Sequence, residues 1–315
     1  MKTDMSLELI KNIADLYYNG NLTQSEIAHR YNISRPKVSR LLAEARENGI
    51  VKIFIDGRNE TSRFQEEQLL KRYPLKAVKV ISVPYDDDQL ALQITAQETA
   101  TFFSGFFNSN DRIGISWGYT LYTMTRYFPN LSLDDISIYQ IVGHIDNTST
   151  RNHASEIIDL MGQRLHTKNA FIFPCPAVFD SPLILEMLLH DSKLKKLYES
   201  MLQCNKLIVS LAPSDTSCCL YRSGYINQGD LDLMNQCGSV GSICCHFIDQ
   251  NGKLCDEALD QRTLAIPLDV LKSKEYLFSY VTNAEKVPVL HAALKAGYIN
   301  VLSIDSLSAR ILLES

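Results

Sequence analysis

The stretch SEIAHRYNISRPKVSRLL, residues 25–42, contains two short runs with helical spacing and a polar break between them. Apolar residues recur every three or four positions in each run, which predicts two amphipathic helices. The break at residues 31–33 includes Asn32, a residue that tolerates the left-handed backbone of a tight turn. A further run with helical spacing over about residues 5–19 completes the pattern of a helix-turn-helix.

Capping residues mark where these helices begin. Thr23 and Glu26 form a capping box, in which each side chain bonds the backbone N–H of the other residue. Ser34 is placed to cap the next helix, and Pro36 falls in its first turn, where no helical hydrogen bond is lost. An alternating apolar run over residues 50–55 predicts a short strand that forms the wing of a winged helix-turn-helix.

The helix after the turn has a basic side. Residues 27–43 include four basic residues and no acidic one, and a recognition helix reads DNA with its N-terminal end. Arg35 and Arg40 are candidates for hydrogen bonds to guanine, with a phosphate contact or a solvated charge as the alternative for each. The residues expected to contact double-stranded operator DNA are Thr23, Gln24, Ser34, Arg35, Pro36, Lys37, Ser39, Arg40 and, on the wing, Lys52; of these, Thr23, Gln24 and Lys37 suit phosphate positioning.

The formal net charge of −5 does not exclude a DNA target, because the charge is unevenly distributed. Residues 1–60 carry nine Lys and Arg against eight Asp and Glu, a net of +1, and the remainder carries 22 against 28, a net of −6. A local basic patch on the docking face is sufficient for binding.

At 315 residues the chain is long enough for two domains. We expect a winged helix-turn-helix DNA-binding domain over residues 1–58 and an α/β effector-binding and oligomerisation domain over residues 59–315. No apolar run approaches the ~18 residues of a membrane span, and the mixed polar N-terminus is unlike a signal peptide, so a cytoplasmic location is expected. The eight cysteines include no C-x-x-C pair, which favours free thiols over a metal site, and no cofactor is indicated.

From about residue 60, β-rich runs alternate with helical ones. Alternation of this length predicts a Rossmann-like α/β domain on a mostly parallel sheet, which binds ligands at the carboxyl ends of its strands. The expected strands are 78–83, 112–116, 136–142, 170–173, 207–211, 242–248, 264–266, 276–282 and 298–304.

Three strand-to-helix junctions carry candidate binding residues. In the first, IGISWGYTL at residues 113–121, glycine and small hydroxyls precede a helix whose free backbone amides suit a phosphate or sugar hydroxyls. Trp117 can stack on a sugar face there, although an ordinary turn with Trp117 in the core fits equally well. The second junction contains His144. At the third, Lys286 lies at a helix start, where a cation is unfavourable, so it indicates either an anionic ligand or a solvated lysine.

These segments together resemble the SorC/DeoR-type family of bacterial sugar-responsive transcriptional regulators. The resemblance rests on KVSRLLAEAR at residues 37–46, the GISWGYTL loop at 114–121, GSVGSI at 238–243 and the C-terminal segment 286–305. It implies a sensor domain similar to glucosamine-6-phosphate deaminases and pentose-phosphate isomerases that has lost catalysis. The domain is expected to bind a small sugar or sugar phosphate, sorbose or a relative of it, within a tetramer. The implied effector site comprises Ser116, Trp117, Gly118, Tyr119, Thr120, His144, Asn152, Ser242 and Lys286.

Two features depart from the family's pattern. Ser242 stands where many members have Asp, and Asn283 and Ala284 replace glycines that many relatives place before the lysine. The loss of an acid leaves open whether the effector is phosphorylated.

The main alternative is a sugar-phosphate isomerase with a DNA-binding appendage. Such an enzyme needs a carboxylate base in its cleft, for which Asp146, Asp215 and Glu285 are candidates, none of them in a paired acid–base motif. A scaffold that binds no ligand is a third interpretation. The sequence therefore favours a regulator that is not an enzyme.

Overall fold

The chain divides into two units, Met1–Gly57 and Arg58–Ser315. The structure, a computed structural model, describes residues 2–20, 22–47, 50–51, 60–83, 88–144 and 153–315. Among the described helices, none is long and apolar enough to cross a membrane.

The described residues of the first unit form three helices, α1 (Lys2–Tyr18), α2 (Gln24–Arg30) and α3 (Arg35–Glu47). Each contributes one apolar stripe to a shared core, as the helical spacing predicts. The fully buried members include Ile13 of α1, Ile27 of α2 and Val38 of α3. Packing of three short helices on one another supplies the stability that such helices lack in isolation.

The turn between α2 and α3 has the predicted geometry. Asn32 has a φ of 51°, in the left-handed region. The capping box is also confirmed: the Glu26 N–H donates to the Thr23 hydroxyl at 3.3 Å, and the Thr23 N–H donates to the Glu26 carboxylate at 2.7 Å. Most of the predicted wing, Lys52 included, lies outside the described residues.

The second unit alternates strands and helices, as predicted. In chain order its elements are α4 (Glu60–Arg72), β1 (Ala77–Ile81), α5 (Asp88–Ser104), β2 (Arg112–Ile115), α6 (Tyr119–Tyr127), β3 (Ser137–Gln140), α7 (Ala154–Arg164), β4 (Ala170–Phe171), α8 (Pro182–His190), α9 (Ser192–Leu202), β5 (Lys206–Val209), β6 (Leu211–Ala212), α10 (Cys219–Arg222), α11 (Gln228–Gln236), β7 (Ser239–Ile243), β8 (His246–Asp249), α12 (Glu257–Asp260), α13 (Leu268–Lys272), β9 (Tyr276–Val281), a 3-10 turn (Ala284–Lys286), α14 (Val287–Lys295), β10 (Val301–Asp305) and α15 (Ser306–Glu314).

Seven of the described strands form one sheet in the order β1-β10-β9-β5-β2-β3-β4. Every pairing in it is parallel. From β2 the chain runs outward to β3 and β4, and from β5 it runs the opposite way to β9 and β10. The boundary between β2 and β5 is therefore a topological switch point, where the loops leaving the two strands diverge and a crevice forms.

A separate antiparallel sheet, β6-β7-β8, lies outside the main one. The prediction of one strand over residues 242–248 is wrong here, since the chain reverses between β7 and β8. Ile243 pairs with His246, which leaves Cys244 and Cys245 as a two-residue turn. The region is a hairpin without the glycine or asparagine that usually marks one.

The first and last elements of the second unit pack together. Along β1 and β10, Ala77 pairs with Val301 and Ile81 with Asp305. The Arg72 guanidinium at the end of α4 donates to the carbonyl of Leu312 in α15 at 3.3 Å. These contacts close the unit on itself across nearly its whole length.

Candidate nucleic-acid interface and ligand cavity

Helix α3 separates a buried face from a basic exposed one. Val38 is fully buried and Leu42 is 3% exposed, so both contact the core of the first unit. The predicted DNA-contacting residues of this region, Ser34, Arg35, Pro36, Lys37, Ser39 and Arg40, are all exposed. The structure therefore brings these side chains to one surface at the N-terminal end of the helix, the geometry with which a recognition helix enters a major groove.

Thr23 and Gln24, the predicted phosphate contacts at the start of α2, are less available to DNA than the exposed residues of α3. The Thr23 hydroxyl donates to the Glu26 carboxylate at 2.7 Å, so its proton is already used within the cap. These hydrogen bonds from the Thr23 backbone and side chain lower the pKa of Glu26 and keep it ionised. Gln24 is half-buried. A phosphate at this helix start would have to accommodate the Glu26 charge.

The second unit contains a cavity of about 160 Å³ at the switch point between β2 and β5. Its wall is formed by residues that follow the carboxyl ends of β2, β5 and β9, together with β6, β7 and the start of α10. This is the position at which open parallel sheets bind ligands. The lining residues from the predicted effector set are Trp117, Gly118, Tyr119, Thr120, Ser242 and Lys286.

The remaining predicted effector residues do not line the cavity or cannot be placed. Ser116 is buried, and its hydroxyl is hydrogen-bonded to that of Ser210 at 2.7 Å. His144 is 5% exposed and packs against the Trp117 ring, with 5.1 Å between the ring centroids. Asn152 lies outside the described residues. Ser116 and His144 therefore support the cavity from behind.

Trp117 forms part of the wall, but its ring belongs mainly to the core. It is 3% exposed, and its indole N–H donates to the Gly143 carbonyl at 3.1 Å. The aromatic ring that this loop leaves open is that of Tyr119, which is 49% exposed. A sugar face that stacks at the cavity rim would meet Tyr119.

The N-terminus of α6 points unsatisfied backbone amides toward this loop. Gly118 is its N-cap, with a φ of 138° and no side chain to accept a hydrogen bond. The first N–H groups of a helix have no intrahelical partner and carry a partial positive charge. Since Gly118, Tyr119 and Thr120 all line the cavity, an anion there can accept from these amides.

Lys286 adds a full positive charge to the same wall. Its ammonium donates to the Thr120 hydroxyl at 3.4 Å, and it forms no ion pair with any described residue. Burial lowers the pKa of Lys286, while Cys219 and Glu285 partly oppose that shift. A half-buried cation without an ion-pair partner is costly, and an anionic ligand can offset that cost.

Several lining residues were missed by the sequence reasoning, because they come from other segments of the chain. Tyr280 is the second-last residue of β9, and its hydroxyl donates to the Leu92 carbonyl at 3.1 Å. Burial raises the pKa of Tyr280 well above its usual value, so the phenol stays protonated. The other missed lining residues are Ser210, Leu211, Ala212, Pro213, Ser217, Cys218, Cys219, Leu220 and Cys245. Leu121, Asn283 and Glu285, from segments considered above, complete the wall.

The cavity offers little for acid–base catalysis. Of the candidate carboxylates, Glu285 lines it, but it is exposed and accepts a hydrogen bond from Asn283 at 3.2 Å. The Asp215 carboxylate accepts the Ser217 N–H at 2.7 Å and does not belong to the wall. Asp146 lies outside the described residues. A paired acid and base is therefore not formed by the described part of the cavity.

The thiols in the wall are weak nucleophiles. All eight cysteines are free. Burial raises the pKa of Cys218 to about 11 and that of Cys245 well above its usual value. Protonated thiols behave as small apolar groups. Within the described ranges, no cluster of three or more His, Cys, Asp or Glu is arranged to hold a metal ion.

Comparison with known proteins gives matches along the whole chain. Residues 58–314 match a family of sugar-binding domains, and residues 7–52 match a family of winged helix-turn-helix DNA-binding domains. The deoxyribonucleoside regulator of Bacillus subtilis is 30% identical over 313 residues, which cover 99% of this chain and 98% of that one. The sorbitol operon regulator of Klebsiella pneumoniae is 28% identical over 317 residues, an alignment that covers 100% of each chain.

The fold is likewise similar to that of a full-length regulator of known structure. The crystal structure of the sorbitol operon regulator SorC from Klebsiella pneumoniae superposes with a TM-score of 0.78 at 27% identity, over 98% of each chain. The similarity therefore includes both units.

Proposed function

We propose that this chain, which belongs to the SorC/DeoR-type family of sugar-responsive transcriptional regulators, controls a carbohydrate-utilisation operon by binding a phosphorylated sugar in the cavity of its second unit. Like these relatives, it is a regulator and not an enzyme, and its winged helix-turn-helix binds DNA. A DNA target supports a cytoplasmic location for the protein. Sequence-specific contacts come from Arg35 and Arg40 on the exposed face of α3.

The observation that carries the phosphate assignment is the pairing of Lys286 with the start of α6. The ammonium lies 3.4 Å from the Thr120 hydroxyl, beside the uncapped amides that follow Gly118. An oxyanion between them gains charge-assisted hydrogen bonds from both. It also supplies the ion-pair partner that Lys286 lacks among the described residues.

The sugar portion faces a wall that is mostly apolar. Ser242 of β7 supplies a hydroxyl, Tyr119 an aromatic face, and Cys219 and Cys245 small apolar surfaces. A cavity of about 160 Å³ suits a monosaccharide phosphate in size. The relatives are named after a deoxyribonucleoside and a sorbitol operon. Deoxypentose and hexose derivatives, sorbose phosphate included, are therefore the first compounds to test.

Regulation follows if the ligand prefers one arrangement of subunits. A dimeric reader must present paired recognition helices about 34 Å apart, or a multiple of that distance. A ligand with different affinities for two arrangements of a homo-oligomer, a tetramer in our proposal, changes which operator spacing is met.

A thermal-unfolding screen of the purified protein tests the ligand assignment. Sorbose, sorbitol and deoxyribose are each compared with their phosphates. At a hundredfold excess over Kd a ligand adds about 2.7 kcal/mol of stability. We expect at least one phosphate to raise Tm while its parent sugar does not, and we expect Lys286→Met to abolish the shift. Stabilisation by the parent sugar alone contradicts the phosphate assignment.

A further inference from the structure

The turn between β7 and β8 holds two ordinary residues in a backbone conformation that favours glycine. Cys244 has a φ of 47° and Cys245 a φ of 70°. Positive φ at both positions of a two-residue hairpin loop is the pattern of a type I′ turn, in which Asn-Gly is common. Non-glycine residues persist in such conformations only where the surrounding structure fixes them.

This turn determines part of the cavity wall. Cys245 lines the cavity, as does Ser242, the third residue before it. Cys244 is 1% exposed, and its N–H donates to the Ser210 carbonyl at 3.2 Å. A change in the turn therefore moves the Cys245 thiol and the Ser242 hydroxyl relative to the ligand.

His246 follows the turn directly and has a hydrogen bond at each ring nitrogen. Its side chain is 4% exposed. Nε2 lies 2.9 Å from the carbonyl oxygen of Ile266, and Nδ1 is hydrogen-bonded to Oδ1 of Asp260. His246 itself does not line the cavity.

The two partners of His246 determine how many protons the group holds. A backbone carbonyl only accepts, so Nε2 carries a proton. An ionised carboxylate also only accepts, so Nδ1 carries a second proton and the ring is an imidazolium. If the proton on this side resides on Asp260 instead, the pair still holds the same number of protons.

Both partners belong to segments anchored elsewhere in the second unit. Asp260 ends α12, whose start is capped by the Asp256 carboxylate. Ile266 is fully buried, and its N–H donates to the Ile141 carbonyl, just after β3, at 2.9 Å. His246 thus connects the start of β8 to α12 and to the main sheet.

We propose that His246, as an imidazolium held between Asp260 and Ile266, is the positioning residue that fixes the Cys244–Cys245 turn and with it the cavity wall. The expected effect of His246 on ligand affinity rests on the proposed function. Its expected effect on the conformation of the turn does not. The two N–H donors on opposite sides of the ring are the essential property, because the carboxylate on one side and the carbonyl on the other both only accept.

The experiment compares His246→Gln, which removes the charge, with His246→Arg, which keeps a cation. Asp260→Asn removes the charge of the partner, and His190→Gln, an exposed histidine of α8, is the control. The first readout is the rate at which iodoacetamide labels Cys245, measured by peptide mass spectrometry. The second is ¹⁵N NMR of the histidine rings at pH 7, which reports protonation of both nitrogens. The third is the affinity for inorganic phosphate.

We expect Cys245 labelling to rise about tenfold in His246→Gln and phosphate affinity to fall by a similar factor, which corresponds to about 1.4 kcal/mol. His246→Arg restores both values, and the control changes neither. In the native protein the NMR resonances of His246, assigned by their loss in His246→Gln, indicate protons on both nitrogens.

A neutral ring in the NMR spectrum, or labelling of Cys245 in His246→Gln at the native rate, overturns the proposal. If His246→Arg does not fold, Asp260→Asn provides the same labelling test. Absence of phosphate binding in every variant, together with the expected labelling and NMR results, contradicts the phosphate ligand and leaves the positioning role supported.

Discussion

At the scale of single residues, Lys286 places an unpaired charge in the cavity wall at a cost to the free protein. Its pKa is lowered by burial, so its charged form is less favourable in the folded chain than in the unfolded chain. A residue that opposes folding in this way is typical of a binding site, where activity and stability conflict.

Lys286→Met should therefore separate stability from ligand binding. At neutral pH the variant removes a half-buried charge, so we expect the ligand-free protein to melt at a higher temperature. Affinity for a phosphate ligand should fall by about 1.5–3 kcal/mol, the contribution of a hydrogen bond to a charged group. Differential scanning fluorimetry with and without ligand measures both, and a lower Tm for the free variant contradicts the argument.

The lowered pKa of Lys286 also predicts how binding depends on pH. The second pKa of a sugar phosphate is about 6, so the phosphate is mainly a dianion above about pH 7. Its charge is therefore constant at alkaline pH. As the pH rises toward the lowered pKa of Lys286, the ammonium loses its proton and affinity should fall. Isothermal titration calorimetry across alkaline pH should find a weaker dependence in Lys286→Arg, whose guanidinium stays charged.

Substitution of Gly118 should affect stability through the backbone conformation alone. Its φ of 138° is one that L-residues rarely adopt, yet a Cβ there would meet nothing within 4 Å. Gly118→Ala should lower stability by about 1–3 kcal/mol through backbone strain alone. Gly105→Ala is the matched control, because its Cβ would meet only the Phe102 carbonyl oxygen at an ordinary 3.5 Å. Urea unfolding of both variants measures the difference, and equal stabilities contradict the argument.

Some residues of the cavity could be predicted from sequence and others could not, for a physical reason. Gly118, Thr120 and Lys286 lie where a strand ends and a helix begins, and this pattern is visible in the chain. Cys245 and Tyr280 reach the same cavity only because distant strands are neighbours in the sheet. Local periodicity carries no information on which strands are adjacent.

At the scale of elements, the order of strands and helices follows from periodicity, while the small antiparallel sheet does not. Strands such as β2, β5 and β9 are mostly apolar runs, typical of a buried parallel sheet. The β7–β8 hairpin reads as one run because Cys244 and Cys245 are apolar and lack turn signals. The turn depends on contacts made by His246 and Ser210, which no local pattern reveals.

Helix α2 owes its start to the Thr23 cap. Thr23→Ala removes the acceptor for the Glu26 N–H and should destabilise the helix by about 1 kcal/mol. Thr23→Ser keeps the hydroxyl and should preserve most of that stability. Hydrogen exchange of the α2 amides compares the two variants. Equal protection in Thr23→Ala and the native protein would contradict the role of the cap.

At the scale of the whole molecule, the two units divide the charge between two tasks. The chain is acidic overall, yet α3 exposes Arg35, Lys37 and Arg40 in its first two turns. The acidic remainder limits non-specific attraction to DNA, so binding should depend strongly on these few contacts.

Substitution of the basic residues on α3 distinguishes base contacts from phosphate contacts. Arg40→Ala should weaken binding to a DNA site selected by the native protein by about 1–3 kcal/mol and relax its sequence preference, as should Arg35→Ala. Lys37→Ala should weaken binding to all sequences and reduce the salt slope by about 1. Arg46→Ala, an exposed arginine in the last turn of α3, is the control. Fluorescence anisotropy over a salt series measures these effects, and unchanged affinity in both Arg35→Ala and Arg40→Ala contradicts the DNA-reading role.

The pairing of β1 with β10 has a consequence for how the protein is made. The helix-turn-helix packs residues that are close in sequence and can fold as soon as it emerges from the ribosome. In the second unit, the edge strand β1 pairs with β10, and the first helix, α4, contacts α15. The hydrogen bond from Arg72 to Leu312 joins residues 240 positions apart, so these contacts form only when the C-terminal elements have been synthesised. During synthesis, each molecule therefore passes through a stage in which a finished DNA reader is attached to an incomplete sensor.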